Sequence, residues 1–304
     1  MKFTKVCDGL EFPEGPIAMD DGSIVLVEIK RQTLTRVTPD GKKEVIAELG
    51  GGPNGAAIGP DGACYVCNNG GFNWRTDGGH TRPTGMADDY VTGSIQRVDL
   101  SSGKFETLYT ESDGRPLRGP NDIVFDKAGG FYFTDLGKSN SEMMHHGAFH
   151  YAQPDGSSCH RVFGPLVTPN GIGLSPGDTE VYVAETRTSR IWAFEVTGPG
   201  KVKPPVAPRP GRLVTTLPDF QLLDSLAIQE NGHIAQATLV RGGINIVDPI
   251  TGAAEFVECP SDPSITNICF GGADMMDAWI CASATGALYH ARWPYPGLRL
   301  HFNA

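Results

Sequence analysis

The stretch Pro120-Asn121-Asp122-Ile123-Val124-Phe125, followed by the turn Lys127-Ala128-Gly129 and the strand-like run Phe131 to Asp135, is one version of a phrase that recurs along the chain. Each copy has a polar residue, a short apolar run, a Gly/Asp turn, a β-rich strand, a loop and another strand. Glu14 precedes Gly22 by eight residues, Asn54 precedes Gly62 by eight, Asn121 precedes Gly129 by eight and Asp224 precedes Gly232 by eight. Asn170 opens the fourth copy, with Asp178 at its turn, and a looser sixth copy starts at Asn267. Such repeats, about 40 to 55 residues apart and carrying about four short strands each, predict propeller blades. The expected fold is therefore all-β, a six-bladed β-propeller with four-stranded antiparallel blades around a central channel. It is expected to form a single domain over residues 1–304, with Phe3 to Val6 supplying the outer strand of the last blade.

Equivalent positions of a cyclic repeat gather around one axis, so Glu14, Asn54, Asn121, Asn170 and Asp224 converge at one end of the channel. Two carboxylates with amide oxygens describe an all-oxygen site for a hard divalent cation such as Ca²⁺, Mg²⁺ or Mn²⁺. Strand direction alternates within a blade, so the insertions Gly70 to Thr92 in copy two and Leu136 to Gly147 in copy three rise over that same face. They carry Phe72, Trp74, Arg75, His80, Arg82 and Tyr90, and Met143, Met144, His145 and His146, as walls of a pocket. Thr197 to Arg212, rich in Pro and Gly, reads as a loop inside the fourth blade.

Composition sets outer limits. The 304 residues include 39 Gly and 23 Pro, which fits many tight turns, and no segment shows sustained helical periodicity. A net charge of −10 argues against a nucleic-acid or anionic-membrane surface. Seven cysteines, an odd number, fit reduced thiols, and Met1 to Asp8 lacks the apolar core of a signal peptide; a cytoplasmic location is expected. Cys64-Tyr65-Val66-Cys67 matches C-x-x-C as text, but strand alternation sends the two thiols to opposite faces. Oligomeric state is not legible.

Pro13-Glu14-Gly15-Pro16, Pro120-Asn121-Asp122, Pro169-Asn170-Gly171-Ile172, Asp224, and Thr266-Asn267 with Phe270-Gly271-Gly272 appear in an order and register that resemble the SMP-30/gluconolactonase/regucalcin-like family over nearly the whole chain. The resemblance implies one catalytic divalent metal held by Glu14, Asn170 and Asp224, with Asn121 as a fourth ligand or a substrate contact. Calcium is the first choice of ion, with Mg²⁺, Mn²⁺, Zn²⁺ and Fe²⁺ also within the family's range. The implied activity is hydrolysis of a small lactone, with Asp224 as the base for the attacking water. Asn121, Asn54, Trp74, Arg75, His80 and His146 are the expected substrate-binding residues. Two alternatives stay open: a phosphotriesterase-like hydrolase on the same site, and a non-catalytic calcium-binding propeller. The chain departs from the family pattern at Ser225, where a Gly commonly follows the acid, and at Gly119, where sugar lactonases often carry Arg; Arg118 is one step off. Asp219 is a local rival to Asp224, rejected because it lies thirteen residues before Gly232.

Overall fold

The structure is a computed structural model that describes residues 1–260 and 262–302. Six antiparallel sheets follow one another along the chain, each built outward from a strand that opens with the recurring phrase. These innermost strands are Pro13–Ala18, Pro53–Ile58, Pro120–Phe125, Pro169–Leu174, Leu222–Ile228 and Ile265–Gly271. Each touches the next, and the last touches the first, so the ring closes. Phe3–Cys7 pairs with Ala287–Arg292 and completes the sixth sheet from the other end of the chain, as expected. No helix occurs among the described residues.

Six apolar clusters fill the gaps between neighbouring blades. Val25 and Leu34 of blade 1 meet Val66 and Val98 of blade 2, and the same pattern repeats to the contact of Leu26 and Val37 with Cys281 and Leu288 across the closure. Second strands are therefore buried on both faces: every residue of Ile24–Glu28, Cys64–Asn68 and Phe131–Asp135 is buried. The outer strand Lys43–Glu48 is mostly exposed. That gradient explains why the β-rich runs visible in sequence belong mainly to inner and middle strands. All seven cysteines are free, and burial pushes the Cys64 thiol up to about 12, so this C-x-x-C is inert packing.

Pairing slips at the same place in every innermost strand, between Glu14 and Ile17, Pro53 and Ala56, Pro120 and Ile123, Pro169 and Ile172, Leu223 and Leu226, and Ile265 and Asn267. A bulge breaks alternation and re-aims side chains. Here it turns the phrase-opening residue toward the axis. The following residue sits against the next blade: a Cβ on Gly15 would lie 2.6 Å from the Asn54 carbonyl oxygen, and one on Gly55 would lie 2.4 Å from that of Asn121. Glycine there lets the inner strands close the ring. In blade 6 the register assigns the opening position to Thr266, and Asn267 takes the position of Gly15.

The end of each of the first four second strands braces the approach to its inner strand. Glu28 Oε2 accepts from Glu11 N at 2.7 Å, Asn68 Oδ1 from Gly52 N at 2.8 Å, Asp135 Oδ1 from Gly119 N at 2.8 Å, and Glu185 Oε1 from Val167 N at 2.7 Å. Buried acceptors satisfied by backbone donors fix the chain two or three residues ahead of each axial side chain. Glu28 and Glu185 are thus buried braces.

Beyond the last blade, Trp293 to Phe302 crosses the face opposite the phrase openings. Leu298 N donates to Ile228 O at 2.8 Å, His301 Nε2 lies 2.9 Å from Asp178, and the Phe302 ring sits 5.8 Å from that of Phe125. Leu298 and Leu300 line the narrow lower channel, so this strap closes one end.

Candidate metal centre and active site

At the other end, Glu14, Asn54, Asn121, Asn170 and Asp224 are all buried at equivalent positions of five successive inner strands. Glu14 Oε2 accepts from Gly15 N and from Asn267 Nδ2, both at 2.7 Å. The Asn170 backbone oxygen accepts from Thr134 Oγ1 at 2.5 Å, which ties blade 4 to blade 3. Gln236 Nε2 donates to the Asp224 backbone oxygen at 2.7 Å. The Oδ1 atoms of Asn121 and Asn170 are buried with no hydrogen-bond partner among the described residues. Asp219, the rival acid, is exposed and lies 4.0 Å from Arg241.

Asp122 also belongs to this centre. Strand alternation predicts that it points away from Asn121, but both residues lie inside the bulge and Asp122 lines the channel. It still braces neighbouring backbone, since Oδ1 accepts from Ile123 N at 3.0 Å and Oδ2 from Ile172 N of blade 4 at 3.2 Å.

Three acids therefore share one channel, and none has an ion-pair partner among the described residues. Burial pushes the Glu14 carboxyl up to about 7, with the Asn267 amide and Gly15 N–H opposing. Burial and then the charge of Glu14 raise Asp122 to about 8 and hold Asp224 well above the usual carboxylate range. Crowded buried carboxylates beside orphaned amide oxygens form an electrostatic sink for a cation. Among the described residues no three His, Cys, Asp or Glu side chains group as a metal set by themselves. The donors here are carboxylate and amide oxygens together, which fits a hard divalent ion.

The two insertions meet above this face. The first forms the hairpin Phe72–Asp77 and His80–Met86, whose Trp74 ring lies 5.0 Å from Phe12 of blade 1 and whose Thr81 N donates to Ala284 O of blade 6 at 2.8 Å. Met86 N donates to Ser139 O of the second insertion. Of the expected substrate contacts, Trp74 is a packed wall. Arg75 pairs with Asp77 at 2.6 Å within the hairpin, and His80 is exposed. His146 lines a separate cavity on the rim of blade 3.

Lys138, not singled out in the sequence, staples the two insertions. Its buried Nζ donates to Gly71 O at 2.8 Å and Asn69 Oδ1 at 3.1 Å, and lies 4.1 Å from the centre of the Phe72 ring. Burial pushes this amine down to about 7, with Asp135 opposing. The unfolded chain holds the extra proton from about pH 7 to the ordinary 10.5, so this group's contribution to stability rises with pH across that window. The stability of the wild type relative to Lys138→Met, a difference in which the other titrating groups cancel, is expected to show that rise, on the order of several kcal/mol at about 1.4 kcal/mol per pH unit. Equal slopes in both proteins would mean the amine is charged when folded.

Residues 12–284 match the family model described as the SMP-30/gluconolactonase/LRE-like region. A gluconolactonase of Zymomonas mobilis is 24% identical over 300 residues, covering 88% of this chain and 75% of that protein. Lactonase drp35 of Staphylococcus haemolyticus is 28% identical over 195 residues, so the match takes in 64% of this chain and about half, 53%, of the relative. Among solved structures, a gluconolactonase of Xanthomonas campestris superposes with a TM-score of 0.74 at 21% identity, over 96% of this chain and 89% of that one. Regucalcin of Agrobacterium tumefaciens, described as a calcium-binding protein, gives 0.74 at 16% identity over 97% and 94%. At these identities the structures speak for the fold.

Proposed function

The chain belongs to the SMP-30/gluconolactonase/LRE-like family, and from that membership we propose that it hydrolyses the ester bond of a small lactone at the open end of its channel. The observation that carries the reading is the convergence of Glu14 and Asp224 with the unpartnered oxygens of Asn121 and Asn170, in a channel with excess negative charge. Glu14, Asn170 and Asp224, with Asn121, would hold one divalent cation, calcium being the first candidate. Such an ion supplies Lewis-acid polarisation of the lactone carbonyl and stabilisation of the developing oxyanion.

The protein's own groups do the rest. Asn267 Nδ2 and Gly15 N both donate to Glu14 Oε2 and hold the carboxylate in one orientation. Asp224 accepts a proton from the attacking water and returns it to the leaving alkoxide. The hairpin and the 136–147 loop, joined through Lys138, wall the site from bulk water. Asn54 and Asn121 offer amide groups to substrate oxygens.

The decisive assay follows a lactone panel and a phosphotriester side by side, before chelation, after it, and after return of calcium, magnesium or manganese. Lactone turnover that vanishes on chelation and returns with the ion is expected, with the phosphotriester slower. Preferred phosphotriester turnover moves the protein to the organophosphate reading. Turnover of neither substrate at saturating ion leaves a binding propeller.

A further inference from the structure

A second cavity, about 510 Å³, opens on the rim of blade 3 on the same face as the candidate centre. Arg115 comes from the short hairpin Glu111–Ser112 and Arg115–Pro116, Arg118 from the approach to the inner strand, and Arg161 from the outer strand Cys159–Leu166. None of the three guanidinium groups pairs with a carboxylate among the described residues, although two acids, Asp113 and Asp135, line the same cavity. The cavity's own acids are engaged by backbone instead. Asp135 accepts from Arg118 N, Gly119 N and Gly137 N at 2.7, 2.8 and 2.9 Å, and Asp113 from Arg161 N at 2.9 Å.

Arg161 Nε is buried without an acceptor among the described residues. Burial, and then the neighbouring Arg115 charge, hold this guanidinium below the ordinary arginine value, a cost that a bound oxyanion would relieve. His150 completes the wall, stacked 5.0 Å from Phe133, with Nδ1 2.8 Å from Ser112 Oγ. Arg118 precedes Asn121 by three residues, so their Cα atoms lie within about 11 Å by chain length alone.

We propose that this cavity is an anion subsite that receives a carboxylate or phosphate group of the substrate, so that the lactone opened in the channel is an acidic one. The substrate half of this statement rests on the lactonase reading; the anion site does not. Guanidinium forks match either oxyanion in bidentate geometry, and the engaged carboxylates leave them free to do so.

Two measurements test it. Calorimetric titration with inorganic phosphate needs no turnover: the wild type is expected to bind, and Arg115→Gln and Arg161→Gln to weaken binding about tenfold or more each. The exposed Arg115 serves as the variant with little folding risk, and melting curves check both. Steady-state kinetics then compare glucono-δ-lactone with its 6-phosphate and with the 6-carboxylate lactone. The ratio of kcat/KM for the anionic to the neutral lactone is expected to exceed about ten and to fall toward one in the variants, the larger ratio naming the group. Phosphate affinity identical in wild type and variants, or no phosphate binding at all, overturns the subsite even if neutral lactone is hydrolysed. Arginine-dependent phosphate binding with every lactone inert supports the subsite and removes the lactonase reading alone.

Discussion

Replacing Asp224 with asparagine lowers kcat on a lactone by about three orders of magnitude at saturating substrate and divalent ion, within the range that general-base catalysis contributes. The amide has the same shape, and Gln236 anchors the backbone oxygen of residue 224 rather than its side chain, so the strand keeps its place. What disappears is the ability to take a proton from water. Asp224 is also a proposed ligand, so the variant needs a partner that separates the two roles. Asn170→Ala removes an amide oxygen and no base; its smaller loss is expected to recover as divalent ion is raised, whereas that of Asp224→Asn is not. Near-normal kcat in Asp224→Asn would put the base elsewhere, with Asp122 as the next carboxylate along the channel.

The closed ring was legible in the chain because a propeller writes itself as a period. Polar residue, turn and β-rich run return at matched register, and the register alone separated buried Asp224 from exposed Asp219. Closure by the first strand is expected over Phe3 to Val6, and Phe3–Cys7 pairs with the last blade. The positions of both insertions followed from strand direction.

What escaped has one physical source. Alternation along a strand assumes an unbroken ladder, and each inner strand carries its bulge where the functional side chains sit. Simple alternation therefore puts Asp122 on the wrong face, and a sixth copy counted from Asn267 is one residue late, which hides Asn267 as the partner of Glu14. Lys138 carried no signal at all, because a lone lysine in a Gly/Ser/Asn loop looks like solvated charge. The aromatic rings of Phe72 and Tyr90, brought from the other insertion, lie over it together with the acceptors Gly71 O and Asn69 Oδ1. The arginines around the blade 3 cavity are likewise scattered over 47 residues and come together only through the sheet.

The channel acids make a second large effect, in stability rather than rate. Glu14 and Asp122 ionise near 4.5 and 3.8 in an unfolded chain but are pushed up to about 7 and about 8 by burial and, for Asp122, by the Glu14 charge. Between those limits the folded chain binds more protons than the unfolded one, so chelated protein loses stability as pH rises from about 4 to about 8, by roughly 3 kcal/mol for Glu14 alone. A divalent ion supplies the missing positive charge without a proton. Calcium at about one hundred times its dissociation constant adds about 2.7 kcal/mol. Because protons compete for the same oxygens, the gain in Tm on adding calcium is expected to be large at pH 8 and to shrink at pH 5. Glu14→Gln removes one of the buried charges, so it is expected to make the chelated protein less sensitive to pH and to lose most of the calcium-induced gain. A Tm indifferent to calcium, magnesium and manganese at pH 8 would leave three buried acids with nothing to neutralise them but protons, and the channel would then be a proton-holding core instead of a cation site.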